Sequence, residues 1–277
     1  PMRVSFFGGG TDISYFYKKN NGKVISSTIN RFVYVTVKSY HDLFEEKYRL
    51  NYSDTENVKK SVDHIKNGII RECLKFLKIK DSLNILISTD VPSSSGLGIS
   101  SAIIVGLLNA LYYYKGIKAT KSMLAESACK IEINILKNPI GKQDQYNASF
   151  GGFMSYDFLK NGKVLTKKLN SSLVKKIFAQ SLFLWVGNFK DSKKVLTVQK
   201  QVFHTRQKYY HDLLSVANSF QKLNKNNSFN VKKFGKLLDE NWLIKKKLSD
   251  KISNYKIDEL YTFAKKIGAI GGKLLGA

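Results

Sequence analysis

The chain has 277 residues, of which 43% are hydrophobic, so it is long and apolar enough to bury a large core as a globular protein. Its 46 lysine and arginine residues outnumber 21 aspartate and glutamate residues, and the formal net charge of +25 indicates anionic partners. The longest apolar run, residues 102–114, is shorter than a membrane span, and Cys73 and Cys129 lack the spacing of a disulfide framework or a zinc site. We expect a cytoplasmic protein without membrane attachment, as a monomer or homodimer.

Nucleic acid is one anion that such a charge can attract. Arginine, however, occurs only at positions 3, 31, 49, 71 and 206, and the lysines are scattered in pairs with one triplet, Lys245 to Lys247. The sequence has no arginine-rich arm, zinc finger or RNP-type motif. We therefore expect phosphorylated small molecules as the specific anions and no nucleic acid, with a basic nucleic-acid-binding domain as the alternative.

The first half of the chain mixes strand and helix patterns. β-Branched and aromatic residues predict strands over 4–7, 24–29, 32–38, 47–52, 83–91 and 153–158. Apolar periodicity predicts helices over 62–77, 102–114 and 121–136, and residues 140–149 are expected to form a loop.

The character of the sequence changes near residue 160, where longer lysine-rich segments begin. It predicts a strand over 182–186 and helices over 195–223, 231–247 and 257–267. A soft boundary at this point gives domains 1–159 and 160–277 of an α+β protein. Both chain ends are expected to lie inside a longer protein.

The junction between the strand at 83–91 and the following buried helix has the sequence PSSSGLGISSA, residues 92–102. Gly96 and Gly98 allow positive φ and close approach of the backbone to a ligand, and the first N–H groups of the helix attract an anion. Ser100 and Ser101 add hydroxyl groups for phosphate or metal. The segment lacks both the GK[ST] ending of a Walker A loop and a GxGxxG motif. It therefore predicts another kind of phosphate loop, with a flexible turn as the alternative.

Glu132 projects from the apolar face of the helix predicted over 121–136, a face that includes Ile131 and Ile135. An ionised carboxylate in that position is costly unless it is paired or binds a cation. A buried salt bridge, a position at the helix rim and a magnesium ion carried by nucleotide phosphates remain open as explanations.

Asp144 lies in the segment IGKQDQYNASFGG, after Pro139 and before a glycine pair. A turn-forming aspartate is one interpretation. Beside a bound γ-phosphate, the same carboxylate would orient an attacking hydroxyl or accept its proton.

Residues 3–12 read RVSFFGGGTD, a strand followed by three glycines and an acid. A hairpin turn is the simpler interpretation. The functional one is close approach to a substrate, with Asp12 bonding hydroxyl groups and Arg3 neutralising charge on a transferred group.

These motifs, with GAIGGKLLGA at the end, occur in an order that resembles the GHMP small-molecule kinases. The GGGTD version and the segment EINILKNPIGKQDQY are most similar to the members that phosphorylate a heptose 7-phosphate; a fucose or galactose kinase is the alternative. The resemblance implies an N-terminal domain with a left-handed βαβ unit, a ferredoxin-like C-terminal domain, and ATP and Mg²⁺ as cofactors.

For the nucleotide, the resemblance implies that the ATP phosphates are wrapped by Pro92, Ser93, Ser94, Ser95, Gly96, Leu97, Gly98, Ser100 and Ser101. It places Ser101 and Glu132 near Mg²⁺. It makes Asp144 the catalytic acid/base and Arg3 the group that stabilises the transferring phosphoryl group.

For the sugar phosphate, the resemblance implies a binding loop made of Gly9, Gly10, Thr11 and Asp12. Gly272 belongs to the third glycine motif, which is expected to continue beyond Ala277. Lys190 stands where relatives often have an arginine and is a candidate for binding the sugar phosphate. Galactokinases and mevalonate kinases have Gly-Glu-His where this chain has three glycines, which weakens both of those assignments.

Overall fold

A computed structural model of the chain describes residues 1–41, 43–187, 192–225 and 230–276. The strands are β1 (Arg3–Phe7), β2 (Gly22–Thr28), β3 (Val33–Ser39), β4 (Tyr48–Asn51), β5 (Thr55–Val58), β6 (Leu83–Thr89), β7 (Phe153–Phe158) and β8 (Val164–Lys168). The α-helices are α1 (Ser14–Asn20), α2 (Gly68–Phe76), α3 (Ile99–Tyr114), α4 (Lys121–Cys129), α5 (Gln143–Phe150), α6 (Ser171–Ala179), α7 (Ser192–Gln201), α8 (Phe203–Lys225), α9 (Val231–Lys246) and α10 (Tyr255–Lys266). The predicted α+β class is confirmed.

The strands form two four-stranded sheets, ordered β1-β2-β7-β8 and β3-β6-β4-β5. In the second sheet β6 pairs antiparallel with β3 and parallel with β4, and the connection between the two parallel strands contains β5 and α2. In the first sheet β7 pairs antiparallel with both β2 and β8.

Contacts divide the chain into two compact units that are discontinuous in sequence. The first unit contains Pro1–Arg3, Thr28–Asn138 and Asp144–Gly151. The second contains Val4–Ser27, Pro139–Gln143 and the chain from Gly152 onward. The domain boundary expected near residue 160 stays a prediction.

The core of the first unit lies between its sheet and helices α2 and α3. Leu83, Ile85 and Ile87 alternate inward along β6, as the period of two of a half-buried strand requires. Helix α3 has sixteen residues without a charge and places Ile104 and Leu108 in the same core. This packing holds the end of β6 and the start of α3 on one rigid scaffold.

The core of the second unit is strongly aromatic. Strand β1 is buried along its whole length, and the ring of Phe7 lies 5.1 Å from those of both Phe220 and Phe234. A separate buried cluster joins Phe16, Tyr210 and Trp242. These contacts fix β1 and the glycine loop that follows it against α8 and α9.

Several predicted elements were wrong. Residues 181–187 have no regular structure, and Leu182 and Trp185 are exposed, so the strand expected over 182–186 is absent. The loop expected over 140–149 contains helix α5 from Gln143. The helix expected over 62–77 begins only at Gly68, because the Asn67 side chain caps it by accepting a hydrogen bond from the N–H of Ile70 at 3.1 Å.

Two further predicted helices are divided in the structure. The one over 121–136 becomes α4 followed by a π-helical stretch, Lys130–Ile135, and the one over 195–223 becomes α7 and α8. In the part of the chain that the structure describes, no helix has both the length and the apolarity needed to cross a bilayer.

Candidate active site

The serine- and glycine-rich loop joins β6 to α3, as the sequence predicts. Three of its residues have left-handed backbone conformations: Ser94 at φ 66°, Gly96 at φ 74° and Gly98 at φ 77°. Gly98 is the residue at the N-cap of α3 and has no side chain to cap the helix. The first-turn N–H groups of α3 therefore need another acceptor, and a phosphate would be a suitable one at the positive end of the helix dipole.

Arg3, the first residue of β1, forms hydrogen bonds with this loop. Its backbone N–H donates to the carbonyl of Leu97 at 3.0 Å, and its guanidinium donates to the carbonyl of Gly96. These two bonds hold two consecutive carbonyl groups of the loop. The loop is thus anchored at a defined position and is not a flexible linker.

Arg3 and Asp144 form a bidentate ion pair. Arg3 Nε and Nη2 each lie 2.7 Å from a carboxylate oxygen of Asp144. The side chains are 8% and 22% exposed. A Cβ atom at Gly98 would lie 3.4 Å from the Asp144 carboxyl carbon, so the carboxylate lies directly against the start of α3. The structure brings together the two predicted catalytic residues and the loop.

Glu132 is 2% exposed, and both oxygens of its carboxylate accept hydrogen bonds. It accepts from the Ser100 hydroxyl at 2.6 Å, from the Ser101 hydroxyl at 2.7 Å and from Gln145 Nε2 at 2.7 Å. Burial raises the pKa of Glu132, and the three hydrogen bonds oppose that rise. The predicted apolar setting is correct for Glu132, whereas Ile135 on the same predicted face is 41% exposed.

The oxygen atoms around Glu132 suit magnesium. A carboxylate and one or two serine hydroxyls are hard ligands, and Mg²⁺ completes such a set with phosphate oxygens and water. Within the described residues no three His, Cys, Asp or Glu side chains form a metal cluster, so a cation here would depend on nucleotide phosphates for much of its coordination. Glu132 with Ser101 fits that arrangement.

Gln145 is a member of this network that the sequence did not indicate. It is fully buried and donates to Glu132, and among the described residues its Oε1 atom has no hydrogen-bond partner. The sequence shows that Gln145 follows Asp144, but it does not show that Gln145 contacts Glu132, which lies in another helical segment. Helix α5, predicted as a loop, is what turns it inward.

Asp12 lies in the second unit and is 1% exposed. Its carboxylate accepts from the N–H of Gly10 at 3.0 Å, from the N–H of Gln143 at 3.0 Å and from Gln143 Nε2 at 3.3 Å. A Cβ atom at Gly141 would lie 1.9 Å from Asp12 Oδ2. Asp12 therefore holds the N-terminal residue of α5, and Asp144 is the next residue of that helix.

The three glycines before Thr11 form a close-packed turn. Gly8 has φ 77° and Gly10 φ 107°, and a Cβ atom at Gly9 would lie 3.3 Å from Ser5 Oγ. Thr11 is fully buried, and its hydroxyl bonds main-chain atoms of Gly8 and Lys23. The side chain of Thr11 thus stabilises the loop.

The other predicted binding residues differ in their surroundings. Pro92, Ser93 and Ser94 are exposed, while Ser95 is half-buried. Gly272 is half-buried, and a Cβ atom at this position would lie 3.5 Å from Cε2 of the Tyr261 ring. Lys190 lies outside the described residues.

Helix α9 adds two residues that the sequence did not indicate. Asn241 Oδ1 accepts from the N–H of Gly8 at 3.3 Å, and Lys245 Nζ lies 3.5 Å from the carbonyl oxygen of Gly9. They are four residues apart and so share one helix face. In the sequence Lys245 belongs to a lysine triplet, a pattern that is typical of a solvated surface.

Comparison with known proteins shows that the chain is similar to small-molecule kinases. Residues 58–152 match the GHMP kinases N terminal domain. The chain is 26% identical over 289 aligned positions to D-glycero-alpha-D-manno-heptose 7-phosphate kinase of Campylobacter jejuni, with 100% of this chain and 85% of that relative covered. It is 34% identical over 121 residues to homoserine kinase of Campylobacter concisus, with 43% of this chain and 38% of that relative covered.

Solved structures share the fold. A D-glycero-D-manno-heptose 1-phosphate kinase from Bacteriodes thetaiotaomicron superposes with a TM-score of 0.79 at 23% identity, covering 100% of this chain and 84% of that one. Mevalonate kinase of Methanococcus jannaschii gives a TM-score of 0.72 at 20% identity, covering 100% and 86%. The chain thus shares its fold with these kinases. The protein is a phosphotransferase that is similar to the GHMP kinases, with the match to their N-terminal domain confined to residues 58–152.

Proposed function

We propose that the protein transfers the γ-phosphoryl group of ATP to the anomeric hydroxyl of a heptose 7-phosphate, giving the 1,7-bisphosphate. The product would feed synthesis of nucleotide-activated heptose for surface polysaccharide. This assignment is supported by the 26% identity to the heptose 7-phosphate kinase, which extends over the whole chain. Consumption of ATP is consistent with a cytoplasmic location, and we expect a monomer or homodimer.

The observation that carries the chemical part of the proposal is the bidentate pair of Arg3 and Asp144 beside Gly98, at the start of α3. A carboxylate held there lies next to the N–H groups that would bind phosphate. An arginine in the same place brings positive charge to a transferring phosphoryl group. Phosphoryl transfer needs these two contributions more than it needs covalent chemistry from the protein.

In the proposed reaction Asp144 accepts the proton of the sugar hydroxyl while the oxygen bonds to the γ-phosphorus and the bond from that phosphorus to the β-phosphate oxygen breaks. Arg3 keeps the carboxylate oriented through Nε and Nη2. Residues 92–101 hold the phosphates of ATP and then of ADP. Mg²⁺, held by Glu132 and Ser101, would neutralise phosphate charge when bound.

On the sugar side we propose Gly9, Gly10 and Asp12 as binding residues. The Asp12 carboxylate accepts from three N–H donors, and in this proposal the same two oxygens also accept from sugar hydroxyls. Its contact with the N–H of Gln143 supports a second role, in fixing the start of the helix that carries Asp144.

The test is a phosphoryl-transfer assay with a panel of acceptors that contains heptose 7-phosphates of both anomeric forms, free heptose, galactose and fucose. We expect turnover with a heptose 7-phosphate to exceed that with each free sugar by at least tenfold in kcat/KM. A preference for free galactose or fucose would contradict the heptose assignment and favour another GHMP sugar kinase. Absence of ATP turnover together with tight, steeply salt-dependent binding to DNA or RNA would contradict the kinase proposal itself.

A further inference from the structure

Two buried or half-buried lysines approach the same strand and loop in the second unit. Lys245 of α9 is 7% exposed, and its ammonium nitrogen lies 3.5 Å from the carbonyl oxygen of Gly9. Lys273 donates to the carbonyl of Ser5 at 2.8 Å and contacts that of Phe6 at 3.4 Å. Positive charge is thus brought to β1 and its glycine turn from two separate segments.

The segment that carries Lys273 is fixed against α9. A Cβ atom at Gly271 would lie 2.0 Å from the carbonyl oxygen of Gly235, so the two backbones touch. A Cβ atom at Gly235 would lie 2.8 Å from the side chain of Ile270. Because α9 also carries Lys245, both lysines belong to one packed arrangement and are not independent surface residues.

A buried hydroxyl group lies beside the glycine turn. Ser5 is 8% exposed, and within the part of the chain that is described its Oγ atom has no hydrogen-bond partner. A Cβ atom at Gly9 would lie 3.3 Å from that oxygen. Buried hydroxyls are rarely left without a partner, so this one marks a polar contact that another molecule can complete.

We infer that Lys245, Lys273 and Ser5 form the subsite for the phosphate group that the acceptor substrate already carries. Lysine binds phosphate as a point charge, a serine hydroxyl donates to phosphate oxygen, and glycine permits close approach of the ligand to the backbone. The inference rests on the proposed sugar kinase function and makes its acceptor a phosphorylated sugar instead of a neutral one. It also replaces Lys190 with residues of α9 and the C-terminal segment.

The test measures binding without ATP, so that it is independent of turnover. Isothermal titration with heptose 7-phosphate, free heptose and inorganic phosphate is performed on the wild type and on Lys245→Met. Lys247→Met is the matched control, because Lys247 is exposed two residues further along. We expect Lys245→Met to weaken heptose 7-phosphate binding by about tenfold to a hundredfold, with free heptose affected less than about twofold. Lys247→Met leaves all three affinities unchanged.

Lys245→Arg keeps the charge and is the second variant, for use if the methionine variant does not fold; we expect it to bind heptose 7-phosphate within about fivefold of the wild type. Equal loss of phosphorylated and free heptose in Lys245→Met would show a structural role and overturn the inference. So would wild-type protein that binds the two sugars equally. If Lys245→Met retains wild-type affinity while the wild type phosphorylates heptose 7-phosphate, the inference fails and the proposed function stands.

Discussion

Replacing Asp144 with asparagine separates the chemical role of this residue from its structural one. In the wild type, Arg3 donates two hydrogen bonds of 2.7 Å to the carboxylate. Asparagine keeps one acceptor and turns an NH₂ group towards the other donor. Loss of one charge-assisted bond costs about 1.5 to 3 kcal/mol. In a protein of this size that lowers Tm by about 3 to 10 °C.

The effect on catalysis should be much larger than the effect on folding. Loss of a general base lowers kcat by about 10² to 10⁴. The contacts of Arg3 with Gly96 and Leu97 do not involve Asp144. We therefore expect the KM for ATP to stay within about threefold of the wild-type value.

Asp157→Asn is the matched control. Asp157 pairs with Lys23, and the two side chains are 32% and 9% exposed, close to the values for Asp144 and Arg3. This variant should lose comparable stability and keep wild-type kcat. Steady-state kinetics of both variants, corrected for the folded fraction from thermal unfolding, checks the prediction. Wild-type kcat in Asp144→Asn would refute the role assigned to Asp144.

Three further changes test other parts of the molecule. Burial raises the pKa of Glu132 above its usual 4.5, so the native state holds the proton of this carboxyl group more tightly than the unfolded state does, and ionisation at neutral pH lowers the unfolding free energy. Glu132→Gln should therefore not lower Tm. In a metal titration the same variant should require at least about tenfold more Mg²⁺ than the wild type. Ser95→Ala removes a hydroxyl without a partner in the described structure, so Tm should hold or rise, and the KM for ATP should increase by about 3- to 10-fold. Gly8→Ala and Gly116→Ala both place an alanine at a positive φ, which costs about 1 to 2 kcal/mol. Only Gly8→Ala also places its Cβ atom 1.9 Å from the Lys23 carbonyl oxygen. The Tm of Gly8→Ala should therefore be at least about 10 °C lower than that of Gly116→Ala. Equal Tm values would contradict the packing described for the glycine turn.

The sequence is informative where a residue type conflicts with its surroundings. Glu132 on an apolar stripe and two glycines at a strand-to-helix junction both signal a site, because such choices are costly for a purely structural segment. The structure brings Ser100 and Ser101 to Glu132, and Arg3 to Asp144. Those contacts join residues that are far apart in the chain, so local pattern indicates the members but not the pairs.

The wrong predictions concern segments whose local sequence preference is overridden by tertiary contacts. Residues 182–186 are rich in strand-forming side chains, yet a strand requires a partner, and the structure pairs none with this segment within the described residues. Helix α5 is polar and follows Pro139 and Gly141, which indicate a loop by composition. Asp12 starts it by accepting the N–H of Gln143, a contact across more than a hundred residues. Tertiary contacts outweigh local preference in both cases.

The most direct test of the account is a crystal structure of the protein with Mg²⁺ and a non-hydrolysable ATP analogue. We predict that the phosphates lie along residues 92–101 at the start of α3, with the metal ion between them and Glu132. Phosphate density elsewhere on the molecule, with this loop unoccupied, would contradict the proposed mechanism.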